Sequence, residues 1–159
     1  MGEGAGVKLR VLWVGRTQEE WVRRGIEEYA GRIRRYLPLE ISEAKEEKGC
    51  REEAGREREC ARLEKLLPKG ARLVLLDERG SRLTSPEFSA FIGRHRDGGA
   101  SELAFAVGGA YGFAETLRER AAGVISLSPM TFTHQMVRVF LLEQIYRGFT
   151  ILNGEQYHH

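Results

Sequence analysis

At 159 residues the chain can bury one substantial core and is short for two domains. Hydrophobic residues make up 42% of it and charged residues 30%, the balance of a soluble globular protein, and no apolar run is long enough to span a bilayer; membrane anchoring and export are not expected, and a cytoplasmic location is. The net charge of +2 is too mild to mark a nucleic-acid binder by itself, although Arg16, Arg23, Arg24, Arg32, Arg34 and Arg35 concentrate positive charge in the first quarter, where phosphate contacts and a solvated helix face explain them equally well.

In chain order, residues 1–6 read as a flexible leader, and the fold is assigned to residues 7–159. Residues 7–14 form an apolar strand ended by Gly15. Residues 18–37 carry Val22, Ile26, Tyr29, Ile33 and Tyr36 at helical spacing, and Pro38 closes that helix. A second strand spans Leu39–Ala44. Residues 46–67 are rich in Glu, Arg and Lys and predict a solvent-facing helix closed by Pro68-Lys69-Gly70. Within it, Cys50 and Cys60 have no second pair or nearby histidine, so two reduced thiols are expected and no metal site.

Residues 72–77 (RLVLLD) make a continuous apolar strand of the kind buried on both faces, with a turn expected at 78–81. Thr84 and Pro86 place a cap and an early proline before another helix. Residues 103–107 (LAFAV) are again a buried strand. A glycine loop follows at 108–112, then a helix at 113–122 and a strand at 124–128. Strands alternating with helices at this spacing predict an α/β fold with a mostly parallel sheet.

The stretch after that strand is the most unusual. Pro129 ends the strand, Thr131 and Thr133 are residues that cap helices, and the helix from His134 to about Gly148 is apolar almost all the way round. Such a helix needs cover on its outer side, which a second copy of the chain supplies. His134 and Arg138 lie one turn apart, on one face, and both are expected near the loop. That pair suits an anionic or polar ligand; a satisfied histidine with a solvated arginine is the bland alternative. The glycine loop lacks the Lys-Ser/Thr of a P-loop and is not a dinucleotide fingerprint. It allows close backbone approach to a flat ligand, or serves as a tight turn before a helix.

The combination is more specific than its parts. RLVLLDERG, then FAVGGAYGF, then SLSPMTFTHQMVRVFLLEQIYRGFTILNGEQYHH, together with GIEEYAGRIRRY in the first helix, resembles the RlmH family of SPOUT methyltransferases from Val7 onward. Enzymes of that family methylate N3 of a pseudouridine in bacterial 23S ribosomal RNA. The resemblance implies a single SPOUT-type α/β domain with a C-terminal deep trefoil knot, S-adenosylmethionine as cofactor, a homodimer packed through the C-terminal helix, and the assembled ribosome as partner.

It also implies residue roles. Cofactor contacts fall on Leu76, Gly108, Gly109, Leu127, Ser128, Pro129, Met130, Thr131 and Phe132. His134, Arg138, Tyr157 and His158 stand toward the RNA, with His158 as base or positioning donor and Arg138 stabilising the imide anion. No metal is implied. The tail at 154–159 has little apolar content and is expected to order only over bound RNA. Two rival readings are a nucleotide-dependent enzyme using the glycine loop and a non-catalytic RNA-binding module on the same fold.

Overall fold

The computed structural model describes residues 6–159. Apart from the exposed Gly6, the expected leader lies outside the described residues. The elements run β1 (Lys8–Val14), α1 (Glu20–Ile33), β2 (Leu39–Ala44), α2 (Glu52–Lys65), β3 (Arg72–Arg82), α3 (Ser85–Asp97), β4 (Glu102–Val107), α4 (Glu115–Arg120), β5 (Gly123–Ser126) and α5 (His134–Leu152). The sheet is ordered β2-β1-β4-β3-β5, and every neighbouring pair is parallel. All strands therefore present their carboxyl ends along one edge, as the α/β expectation required. No described helix is long and apolar enough to cross a membrane.

Successive strand residues point to opposite faces, and the chain supplies apolar side chains to both. Leu9, Val11, Trp13, Val74, Leu103, Phe105 and Ile125 meet α1, α3 and α5 on one face. Leu12, Leu73, Leu75, Ala104 and Ala106 meet α2 and α4 on the other, through Cys60, Leu63 and Leu117. Cys50 and Cys60 are both free thiols. The start of α3 is fixed by a capping box: the Glu87 amide donates to Thr84 Oγ1 at 3.2 Å and the Thr84 amide donates to Glu87 Oε1 at 3.1 Å.

Several boundaries differ from those predicted. Helix α2 begins at Glu52 rather than 46, because Gly49 takes a left-handed φ of 70° that interrupts any helix through it. Helix α5 continues through Gly148 to Leu152. Gly148 is a crossing point, not a terminator: a Cβ there would stand 3.1 Å from Ile92 of α3, and its carbonyl accepts from Ser89 Oγ at 2.7 Å. Helix α5 is also covered by its own chain more than its composition suggested, since it lies between α1 and α3 with Leu141, Leu142, Ile145 and Phe149 buried. Its partly accessible residues include an outer stripe of Met136, Phe140, Glu143 and Arg147.

The expected turn at 78–81 is instead a continuation of β3. Ile125 of β5 is paired with both Leu76 and Ser81, so the register shifts between them: residues 77–79 bulge and Gly80 returns against β5. Gly80 makes this possible. A Cβ on it would lie 2.7 Å from the backbone of Val124 and Ile125, closer than any side chain tolerates. Two backbones cross there with nothing between them.

Gly80→Ala should therefore lower stability by about 1–3 kcal/mol or prevent folding, as overpacking against rigid backbone does. Gly31→Ala, on the exposed side of α1 with nothing near its Cβ position, should raise stability by about 1 kcal/mol. Thermal unfolding of both variants tests the crossing, and equal midpoints would contradict it.

Candidate functional site

The carboxyl ends of β3, β4 and β5 open into a cleft of about 510 Å³. Leu76 ends one wall, Gly108 and Gly109 form a second, and Leu127, Ser128, Met130, Thr131 and Phe132 form a third. Of the residues expected to contact a cofactor, only the exposed Pro129 is not part of the lining. Ligands of open parallel sheets bind at this edge, outside the strand ends.

Local chemistry shapes each wall. In the glycine loop, the Gly112 amide donates to Gly109 carbonyl at 3.1 Å, and Gly112 sits at φ 75°, where a side chain is strained. The other two glycines are required by packing behind the cleft. A Cβ on Gly108 would press on the Phe113 ring at 3.2 Å, and one on Gly109 would stand 2.7 Å from Glu59 Oε1. Glu59 is buried, and burial holds its carboxyl above the usual carboxylate range.

The loop between β5 and α5 braces itself. Ser126 Oγ donates to the Ser128 carbonyl at 2.8 Å, and Ser128 Oγ accepts from the Met130 amide at 3.0 Å. Thr131 Oγ1 donates to Glu78 Oε2 at 2.9 Å, tying this loop to the bulge of β3. Thr133 Oγ1 accepts from the Met136 amide at 3.2 Å and caps α5. These bonds leave Met130 72% exposed at the rim, a soft apolar side chain free to cover a flat ligand.

Asp77, at the end of the predicted strand, and Tyr111, in the glycine loop, also line the cleft, and Glu78 and Arg79, where a plain turn was expected, join them there. Burial works against ionisation of Asp77, but the Arg79 amide at 2.8 Å and the Arg118 guanidinium outweigh it and hold the carboxyl below its ordinary range. The cleft thus contains a fixed negative charge.

His134 and Arg138 do not stand together at the mouth. His134 lines the cleft and is exposed. Arg138 is 2% exposed and points into the interior, where Nη1 donates to Thr17 Oγ1 and Nη2 to the Val14 carbonyl, both at 2.9 Å. Its guanidinium lies 4.9 Å from the Trp13 ring centroid, and burial lowers its pKa. One helical turn was enough to separate them, because the long Arg138 side chain reaches inward to the end of β1 while His134 stays at the exposed start of α5. Arg138 therefore clamps the end of β1. Gln135 helps, accepting from the Gln18 amide at 2.8 Å and donating to the Arg16 carbonyl at 3.3 Å.

The tail is also placed differently from the expectation of a free segment. It folds back onto the second half of α5. The Tyr157 ring packs edge-on against Tyr146 at 4.7 Å, its hydroxyl donates to Glu143 Oε1 at 3.1 Å, and Arg147 stacks over it at 4.8 Å. Burial, then hydrogen bonding with Tyr29 and with the Glu143 carboxylate, push the Tyr157 phenol up, so it stays protonated at neutral pH. Arg147 Nη1 donates to His158 Nδ1 at 3.1 Å, which puts the ring proton on Nε2. Arg147 and Glu143 were missed from sequence, although they form an i,i+4 pair in an otherwise apolar half-helix. Along α5 the tail cluster stands about 20 Å from His134, so one chain does not bring His134 and His158 together.

Comparison with known proteins now bears on this geometry. The family model described as a predicted SPOUT methyltransferase matches residues 7–158. The chain is 71% identical over 153 residues to the ribosomal RNA large subunit methyltransferase H of Geotalea uraniireducens, covering 96% of this chain and all of that one. The chain belongs to the RlmH family of SPOUT methyltransferases. The protein of the same name from Geobacter sulfurreducens is likewise 71% identical over 153 residues, with the same coverage of both chains. Among solved structures, the AviRb methyltransferase of Streptomyces viridochromogenes in complex with AdoMet aligns with a TM-score of 0.47 at 13% identity, over 89% of this chain and 58% of that chain.

Two substitutions separate the roles just described. Arg138→Ala should cost about 2–4 kcal/mol of stability by leaving a cavity and unpaired acceptors, whereas exposed His134→Ala should stay within about 0.5 kcal/mol. Denaturant titration decides, and equal losses would show that Arg138 is not the clamp.

Proposed function

We propose that this protein is the S-adenosylmethionine-dependent enzyme that methylates N3 of a pseudouridine in bacterial 23S ribosomal RNA. It acts on the assembled ribosome, in the cytoplasm, as a homodimer of a single domain spanning residues 7–159. The observation that carries the reading is the convergence of Leu76, the glycine pair and the loop after β5 in one cleft. The names of the relatives at 71% identity support methylation of large-subunit ribosomal RNA, and the choice of pseudouridine N3 follows from the family resemblance. The crossing at Gly80 and the double pairing of Ile125 support a deep trefoil knot in the C-terminal part of the chain.

The cleft fits the cofactor on its own terms. Its volume of about 510 Å³ lies within the roughly 300–1,000 Å³ of small-ligand sites. Leu76, Leu127 and Met130 would cover the adenine faces, and the loop backbone would read its edge. Asp77 is ionised and paired with Arg118 and Arg79, so it braces the wall of the cleft. Bound there, S-adenosylmethionine supplies a methyl group on a positively charged sulfur that is already a good leaving group. What the protein must add is placement, holding the attacking nitrogen in line at roughly 3–3.5 Å.

Placement of the RNA base falls to the other residues. His134 stands at the mouth of the cleft and Arg138 acts as a positioning residue through the clamp on β1. His158, with Nδ1 occupied by Arg147, offers an Nε2 proton to a base carbonyl. Arg147 has the access that Arg138 lacks and would stabilise the imide anion left when the N3 proton passes to solvent, while the methyl leaves its sulfur as the neutral thioether. Because the tail lies far from His134 within one chain, a two-fold dimer packed on the outer stripe of α5 lets one copy's tail serve the other's cleft. Phe140 is the apolar centre of that stripe.

Labelled-methyl transfer to assembled ribosomes, large subunits and naked RNA tests the function, and cofactor binding should be the same with and without EDTA. Deleting residues 157–159 should leave cofactor affinity unchanged and lower single-turnover transfer by roughly a hundredfold, with His158→Ala accounting for much of the loss. A truncated protein that transfers at the wild-type rate makes the tail passive. Binding of cofactor and ribosomes with no transfer at all would instead favour the non-catalytic module. Light scattering should give the dimer mass at micromolar concentration, with Phe140→Asp shifting it toward monomer; a monomeric wild type refutes the assembly.

A further inference from the structure

A second cleft, of about 1030 Å³, opens on the same edge of the sheet beyond the carboxyl ends of β1 and β2. Its floor is the turn out of β1, where Gly15 takes a left-handed φ of 86° and its amide donates to the Ala44 carbonyl at 2.7 Å. The cofactor cleft and this one adjoin. Gln135, next in sequence to His134, holds the Arg16 carbonyl and the Gln18 amide, and Val14 packs 3.2 Å from the Cβ position of Gly109.

The walls carry Arg16, Arg23, Lys45, Lys48 and Arg62 against the carboxylates of Glu43, Glu46 and Glu47. Each carboxylate is engaged. Glu43 accepts from Trp13 Nε1 at 3.1 Å, Glu46 faces Lys48 at 3.4 Å, and Glu47 pairs with Arg62 and, at 3.8 Å, with Arg58. Arg23 donates to the Thr17 carbonyl at 2.8 Å and pairs with Glu20 at 3.4 Å. Arg16 and Lys45 are both exposed and enter no ion pair among the described residues. No aromatic ring lines the cleft, so nothing in it stacks a base.

We propose that this cleft is a phosphodiester groove that seats the RNA strand flanking the target nucleotide, with Arg16 and Lys45 on phosphate oxygens. The inference rests on the reading of the protein as a ribosomal RNA methyltransferase. Unpaired cations without stacking platforms or groups aimed at base edges recognise backbone and not sequence. The position does the rest: a strand running through the groove delivers its neighbouring base to the mouth of the cofactor cleft at His134. The groove contributes to holding substrate and takes no part in the methyl transfer.

The test is the full-length Arg16→Ala/Lys45→Ala variant, compared with Lys69→Ala/Arg120→Ala, which removes the same charge from the turns at the opposite edge of the sheet. Loss of two single-strand phosphate contacts should make the slope of log affinity against log salt shallower by about 1.4 and raise KM for ribosomes about tenfold. Cofactor affinity and kcat should stay at wild-type values, which also reports that the variant is folded. Binding to a single-stranded RNA oligonucleotide of unrelated sequence should weaken in parallel. Wild-type salt dependence in the double variant, or equal losses in the control pair, overturns the groove. Weaker ribosome binding with unchanged oligonucleotide binding assigns the cleft to a ribosomal protein and also overturns it. If the wild type transfers no methyl, the enzymatic reading fails on its own, and the binding slopes still decide the groove.

Discussion

The constraint on which the rest depends is the crossing of β3 over β5. Gly80 lies against the backbone of Val124 and Ile125 at a separation that leaves no room for a Cβ. Because Leu76 and Ser81 both pair with Ile125, residues 77–79 are forced into a bulge. That bulge carries Asp77, Glu78 and Arg79 into the cleft wall, where Arg118 reaches Asp77 and Thr131 reaches Glu78. A missing side chain at one position thus joins the bulge, α4 and the loop after β5 into one site. Loops so joined have few conformations left to lose when a ligand binds, which is the physical meaning of a preorganised pocket.

A second constraint is the parallel sheet. With all carboxyl ends on one edge, the end of β1 lies beside those of β4, β3 and β5, and the two clefts open side by side. The partition between them is held by α5. Arg138 fastens it to Val14 and Thr17, and Gln135 fastens it to Arg16 and Gln18. Burying a guanidinium carries a desolvation penalty that only good partners offset, and Arg138 has two hydrogen bonds and an aromatic face. Helix α5 is therefore anchored where the base would arrive and more open along its outer stripe.

The same division governs the tail. Tyr157 and His158 are held by Tyr146, Glu143 and Arg147, contacts between partly exposed groups whose individual strength is modest. Such contacts preset ring orientation and tautomer without forbidding movement. A tail docked this way is ordered enough to present His158 in one chemical form and loose enough to close over a large substrate.

Periodicity was sufficient to find the two inner strands, because RLVLLD and LAFAV are apolar on both faces and only the middle of a parallel sheet accepts that, although it stopped β3 short of Arg82. The residues that line the cleft were named through the family motifs, and strand ends of a parallel sheet converge whatever the helices do. What the sequence did not determine was every feature resting on a long-range contact. Gly80 looks like any turn glycine until β5 arrives beside it, and Gly148 looks like a helix stop until Ile92 and Ser89 fill its space. His134 and Arg138 share a helical face by spacing, but the Val14 carbonyl and Thr17 hydroxyl draw Arg138 into the core while His134 lines the cleft. The tail reads as polar and free because its partners, Glu143, Tyr146 and Arg147, belong to the preceding helix. Local propensity and alternation are properties of neighbours along the chain. Which side chains are buried, paired or left open at an edge is decided only when distant segments compete for the same space.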